Sequence, residues 1–433
     1  MGPLEVALIL VTCFLVLVLL RVPVSFALGL ATIPIFLFHD RLTVTLLFTE
    51  MFQSYNSFLL LAVPFFLLAA NLMNAAGITD RLVNFAKALI GFLPGGLGHV
   101  NIMVSMLFAG ISGSSTADSA GIGAIMIPAM KKEGYDTAMS VAITACSSVM
   151  GVIIPPSVLM IIWGGVMSVS IGGLFLAGII PGTMIGLSMM LTMYFYARRK
   201  GYPRYPFPSF PVFITSLGKA LVPMLTPVII VGGIAGGFFT ATEASLIAVL
   251  YSAFLGILIY RTVDRAKFLS VIYESGRFSA IALFAVGTAS AFAFLLAFFK
   301  VPDAIVSQLA ALEFGFAGTG LVIAAAFLII GMFIDAIPAI IILGTVLWPV
   351  AEASGYHPIH FAIIGVVSLA FGLVTPPYGL CLLITCALGE IKVAATLKYV
   401  TIILLPMLLI LLLIILLPSV VLWLPDTLMP DFK

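Results

Sequence analysis

The side chains best suited to chemistry in this chain lie within apolar sequence. The segment GISGSSTAD at 110–118 gathers Ser112, Ser114, Ser115, Thr116 and Asp118 within nine residues. Hydroxyl and carbonyl oxygens are hard donors that suit Na+ better than a soft metal. Further along, ACSSVMGVIIPPS at 145–157 carries Ser147, Ser148, Gly151 and the pair Pro155-Pro156. Proline lacks the N–H a helix needs and its ring clashes with the preceding turn, so a helix breaks there. The break frees carbonyls of its first half for a cation and N–H groups of its second half for an anionic substrate. The plainer alternative is a tolerated proline kink, with Ser and Thr bonded to their own backbone. A second group reads GMFID at 331–335 and FGLVTPPYG at 371–379, with Asp335, Phe371, Gly372, Thr375 and Pro376-Pro377. Asp335 ligates a cation, carries a proton or caps a helix; Asp118 has the same alternatives. Glu243, in TATEAS at 240–245, reads as an N-cap or first-turn acid, the sharper alternative being a role between moving parts.

These two groups are one group written twice. Adding 221 to the numbers from Gly110 onward lays Gly110 on Gly331, Gly123 on Gly344, Pro128 on Pro349, Gly151 on Gly372 and Pro155-Pro156 on Pro376-Pro377. There are 11 identities over positions 110–159, without a gap, and most are Gly or Pro. A backbone break repeated in both halves of hydrophobic sequence points to the substrate site of a secondary transporter.

The elements that position these residues must sit in lipid. Hydrophobic residues make up 63% and charged residues 8% of the 433, where a soluble domain carries about 25% charged. Mean hydropathy is +1.29. Long apolar runs imply an all-α polytopic membrane protein; the alternating pattern of a membrane barrel is absent. The run 4–20 lacks a charged leader and a cleavage site and is expected to remain as a helix. Cys13, Cys146, Cys381 and Cys386 show no metal or disulfide spacing. A net charge of +2 gives no reason to expect nucleic acid.

Spans are expected at 4–20, 24–38, 57–76, 137–163 (broken), 172–196, 219–238, 242–260, 278–299, 358–384 (broken) and 398–424. The segments 100–130 and 320–350 carry turn residues at their middles, 112–115 and 335–338, and read as re-entrant hairpins. With Arg198-Arg199-Lys200 in the cytoplasm, 16 of the 19 Lys and Arg fall on that side; only Arg41, Lys300 and Lys433 fall outside. Lys131-Lys132 then lie inside and their counterparts Glu352-Ala353 outside, so the two copies have inverted topology. Residues 78–93 and 301–316 (with Asp303, Gln308 and Glu313) read as amphipathic arms in the membrane interface. The proline-rich stretch 198–216 links the halves on the cytoplasmic side.

Residues 110–113 also match the GxSG of intramembrane serine proteases, but no histidine is expected mid-span to serve as base. No nucleotide motif is present, so an ion gradient must drive transport.

The pieces FAGISGSSTADSAGIGAIMIPAM, GVIIPPSVLMI, LFLAGIIPG, GGFFTATEASLIAVLY, GMFIDAIPAIIIL and FGLVTPPYGL together resemble the large membrane subunit (DctM-like) of the tripartite ATP-independent periplasmic (TRAP) transporters over nearly the full length. Thr240-Ala241-Thr242 departs from the family's usual intervening proline, and Trp348 precedes Pro349. The resemblance implies a Na+-coupled elevator in the bacterial inner membrane, importing a carboxylate such as sialic acid or a dicarboxylate, or a sulfonate. It implies Na+ sites at Ser112, Ser114, Ser115, Ser147 and Gly151, and at Asp335, Phe371, Gly372 and Thr375. Substrate contacts are expected from Ser115, Thr116, Ser148, Pro155, Pro156, Pro376 and Pro377. Implied partners are a small four-helix membrane subunit and a periplasmic substrate-binding protein. The expected division is 1–95 scaffold and first arm, 96–196 first transport half, 197–317 linker, scaffold and second arm, 318–395 second transport half, and 396–433 a C-terminal helix outside the transport halves. The alternatives are a stand-alone Na+/carboxylate symporter of the same superfamily and, remotely, an intramembrane serine hydrolase.

Overall fold

A computed structural model describes residues 2–39, 42–310 and 314–429, and every regular element among them is a helix. Seven of these helices are long and apolar enough to cross a membrane. In chain order, α1 (Pro3–Leu19) and α2 (Val24–Phe38) form an antiparallel pair, followed by α3 (Val44–Tyr55), α4 (Ala62–Ala75) and the amphipathic arm α5 (Ile78–Ile90). The first hairpin is α6 (Gly96–Ser112) and α7 (Ser115–Lys132). The first broken helix is α8 (Thr137–Ser148), a tight turn over Val149–Val152, and α9 (Val158–Met167). Then come α10 (Ile171–Lys200), α11 (Phe210–Ala235), α12 (Ala241–Ala253) with a π-helical end to Ile259, α13 (Arg265–Phe298) and α14 (Val301–Ala310). The second hairpin is α15 (Gly315–Gly331) and α16 (Ala336–Ala353), and the second broken helix α17 (Pro358–Gly372) and α18 (Leu380–Gly389). The chain closes with α19 (Val393–Leu416) and α20 (Pro418–Leu428).

The expected plan is present, with corrections at element ends. The second hairpin turns at 332–335, ahead of the expected 335–338, because Asp335 already caps α16. The broken helices run on to Met167 and Gly389 rather than stopping at 163 and 384. The span placed at 398–424 is two helices, since Pro418 has no N–H to continue α19 and instead starts α20. α13 begins at Arg265, not 278; Asp264 caps it by accepting the Lys267 N–H at 2.8 Å. Helix α3 was not foreseen. Of the second arm, Glu313 lies outside the described residues, as do Arg41 and Lys433 of the charge count.

The repeats interlock. α18 packs on α7 and α8 of the first repeat, and α9 packs on α16 of the second. The half-helix after each break therefore crosses to the other copy. α19 lies against α8, α10, α15 and α17, so the C-terminal helix belongs with the hairpins and broken helices rather than outside them. A separate group of α2, α3, α4, α11 and α12 meets this body through α13, which packs on α2, α3, α4 and α16, and directly where α4 packs on α6 and α9 and α11 packs on α6 and α10.

The linker between α10 and α11 is tied down against the ends of α5 and α7. Its Tyr205 lies under the Lys87 ammonium of α5, 4.2 Å from the ring centroid, and donates to the Glu133 carboxylate that ends α7. Burial and that carboxylate push the Tyr205 phenol up. The Gly96 N–H donates to the Pro203 carbonyl, and the Tyr205 N–H to the Gly91 carbonyl.

Candidate functional site

Each hairpin tip docks on a helix break. At the first tip, Gly113 ends α6 with a φ of +64°, a left-handed turn that glycine takes without strain. Its carbonyl accepts the Val158 N–H at 3.2 Å, joining the tip to the first turn of α9. Ser114 caps α7 by accepting the Ala117 N–H, and its hydroxyl lies 3.1 Å from that of Thr116. Ser115 donates to the Val149 carbonyl at 3.2 Å, and the Ser112 hydroxyl accepts the Ser114 N–H. Ser112, Ser115, Gly151, Pro155 and Pro156 are buried. Tip and break thus form one sealed cluster of hydroxyls and carbonyls.

Asp118 completes it. The carboxylate is fully buried and lies so close to Gly151 that a Cβ there would overlap Oδ2. It approaches the Ser112 hydroxyl, yet neither carboxylate oxygen makes a well-formed hydrogen bond. Ser114, not Asp118, is the N-cap, so the capping alternative for Asp118 is excluded. Asp118 stood outside the expected site because it lies past the tip. The overlooked clue is its spacing of four from Ser114, which puts both on one face of α7.

Two expected residues sit behind this cluster. Ser147 donates to the Thr144 carbonyl and accepts from Ser105. Ser148 donates to the Ala145 carbonyl at 2.8 Å and shares a 2.6 Å bond with Ser119.

The second tip is more open. Asp335 caps α16, its Oδ1 accepting the Ala336 N–H at 2.8 Å, and it is exposed together with Phe333, Pro377 and Tyr378. Thr375 donates to the Phe371 carbonyl at 2.7 Å. Gly372 and Gly331 meet backbone to backbone; a Cβ on Gly372 would lie 2.6 Å from the Gly331 carbonyl carbon. In the first repeat the Asp118 carboxylate occupies the matching gap. Ser368, the counterpart of Ser147, is buried with its hydroxyl unpartnered; its identity across the repeats was visible, its burial was not. Both Pro-Pro bonds are cis.

Eight helix ends converge here. α6, α8, α15 and α17 finish at the tips and breaks, and α7, α9, α16 and α18 start there. Carbonyl ends favour a cation, N–H ends an anion. Glu243 forms a capping box with Thr240, with bonds of 2.8 and 3.2 Å between each backbone N–H and the other's side chain, as expected of a first-turn acid. Among the described residues no three of His, Cys, Asp and Glu converge. A cavity of about 340 Å³ opens between α3, α13 and the end of α9 away from the break, lined by Glu50, Gln53, Ser54, Ser57 and Ser290.

The family model described as "Tripartite ATP-independent periplasmic transporter, DctM component" matches residues 11–420. The chain belongs to this family. It is 35% identical over 404 residues, 93% of this chain and 95% of the relative, to the sialic acid TRAP transporter large permease protein SiaM of Vibrio cholerae. It is 34% identical over 94% of its length to the isethionate TRAP transporter permease protein DctMQ of Oleidesulfovibrio alaskensis, of which it spans 64%. The crystal structure of the YdaH transporter of Alcanivorax borkumensis shares the fold, with a TM-score of 0.56, 15% identity and coverage of 93% of this chain and 97% of that one. This DctM-family chain is therefore an inner-membrane transport component and not an enzyme. His99 lies thirteen residues before Ser112 on the same helix, about 20 Å away along its axis, too far to act as its base.

Proposed function

We propose that this chain is the ion-binding, moving subunit of a Na+-coupled importer of a small organic anion, working by an elevator displacement. The observation that carries this reading is the docking of two hairpin tips on two helix breaks in repeated register. The first Na+ site takes Ser112, Ser114, Ser115, Gly151 and Asp118, with Ser147 bracing it from behind. The second takes Asp335, Phe371, Gly372 and Thr375. The anion rests between the tips, on the N-termini of α7, α9, α16 and α18, in reach of Thr116, Pro156 and Pro376. The cavity beside Glu50 and Ser290 is its approach from the outer face. Residues 96–196 and 318–395 form the moving body together with α19, and the remaining helices form the scaffold.

The relatives named for sialic acid and isethionate indicate a carboxylate or a sulfonate as the anion. The length that the isethionate relative carries beyond the matched region is room for a small membrane subunit in the same chain. The proposed partners are a small four-helix membrane subunit and a periplasmic binding protein that delivers substrate. The test is uptake into proteoliposomes holding this chain and its small subunit, with labelled sialic acid and isethionate as probes. Uptake should require an inward Na+ gradient and the binding protein. Uptake without the binding protein would mark a stand-alone symporter, and uptake indifferent to Na+ would remove the ion sites.

A further inference from the structure

Beneath the first tip lies a second set of buried polar groups that neither ion site uses. His99, Asn101 and Ser105 on α6, Ser119 on α7, and Ser140 and Thr144 on α8 are each at most 1% exposed. They meet in levels that climb from the cytoplasmic end of the hairpin. Asn101 donates to the Thr144 hydroxyl at 2.6 Å, Ser105 to Ser147 at 2.8 Å, and Ser119 shares its bond with Ser148. The next level up is Asp118 against Gly151. From His99 to the tip the file is about 20 Å long, the depth from the cytoplasmic face to mid-membrane.

Two observations say this file is more than packing. Its polar atoms are not all satisfied by protein. Asn101 Oδ1 has no partner, and His99 approaches only the Pro94 carbonyl and Tyr135 those of Leu97 and Gly98, without closing well-formed bonds. Buried polar atoms of this kind take ordered water. The second repeat builds the same shape without them: the counterparts of His99, Asn101, Ser105, Ser119, Ser140 and Thr144 are Gly320, Val322, Ala326, Ile340, Phe361 and Gly365. The fold therefore does not need polar groups at these positions.

We propose that the file is a hydrated route joining the first ion site to the cytoplasm, along which Na+ leaves without following the substrate. The proposal rests on the first site binding Na+. The probe is Ag+, a monovalent cation of similar size that reacts with thiols, applied in chloride-free buffer to the cytoplasmic face of inverted membrane vesicles. Modification is read by mass spectrometry against the background of the four native cysteines. Ser119→Cys, high in the file, should react about tenfold faster than its second-repeat counterpart Ile340→Cys, and adding Asn101→Leu should slow it about tenfold, the rate equivalent of one lost polar step. Ser105→Cys, lower in the file, is the second reporter and should react as fast whether or not Ser119→Cys folds. Equal rates at Ser119→Cys and Ile340→Cys, with Ser105→Cys equally inert, would overturn the route, as would indifference to Asn101→Leu. Excess Na+ should slow Ser119→Cys; fast reaction that Na+ does not slow would show a hydrated file but remove the Na+ site above it, and with it the exit of Na+ along the file.

Discussion

Two carboxylates at related depths do different work because their surroundings differ. Asp335 holds a helix N-terminus with one oxygen at an open tip; Asp118 holds nothing in the protein and is sealed against Gly151. Asp335→Asn keeps a capping side chain and removes the charge. It should raise the Na+ concentration for half-maximal uptake about tenfold, or about 1.4 kcal/mol, with thermal unfolding in detergent nearly unchanged. Asp335→Ala should show the same Na+ shift and lose about 1 kcal/mol of stability as well. Asp118→Asn should raise the Na+ requirement at least as much, because no backbone bond shares that carboxylate's charge; an unshifted Na+ dependence would take Asp118 out of the ion site. Asp335 was legible in the sequence as an acid inside an apolar segment. Asp118 was legible as one of three things, cation ligand, proton carrier or cap, and its proximity to Gly151 was not legible, since that depends on how α7 meets α8.

Among elements, what the sequence showed was shape. Several of the repeated Gly and Pro mark a helix stop or a close backbone approach, as Gly151/Gly372 and the Pro-Pro pairs do, while Gly123/Gly344 and Pro128/Pro349 lie inside α7 and α16. Element ends were less legible. Hydropathy runs smoothly through Pro418, so α19 and α20 read as one span, and the polar stretch of α3 (TEMFQSY) was too short and mixed to read as a span at all, although its packing on α13 makes it a helix. The repeated glycine pair gives the sharpest test at this scale. Gly372→Ala places a methyl against the Gly331 backbone, which cannot swing aside as a side chain can. It should lower stability by about 1–3 kcal/mol and separate α15 from α17, read as a lower unfolding temperature together with faster proteolysis at the second tip. Gly218→Ala, inside α11 with no atom within 4 Å and no left-handed φ, is the control for added bulk and should not destabilise.

For the whole molecule, the inverted pair was legible from lysines and arginines alone. Lys131→Cys should label only from the cytoplasm and Glu352→Cys only from the outer side; both positions are exposed. Labelling of both from one side would contradict the inversion. The exchange of half-helices between repeats, and the docking of α19 on the hairpin body, were not legible. Every face of these helices is apolar, toward lipid and toward protein alike, so composition does not say which face meets which neighbour. The cytoplasmic linker has a consequence for motion of any kind between the two groups of helices. It is the chain's own leash: the nine residues from Gly201 to Ser209 reach at most about 30 Å when taut. Folded back, it is pinned on one side to the arm through Gly91 and Lys87 and on the other to the hairpin through Glu133. The resting length is thus stored slack, and a stroke that carries the hairpin away from the arm must first unclasp Tyr205 before the leash can pay out.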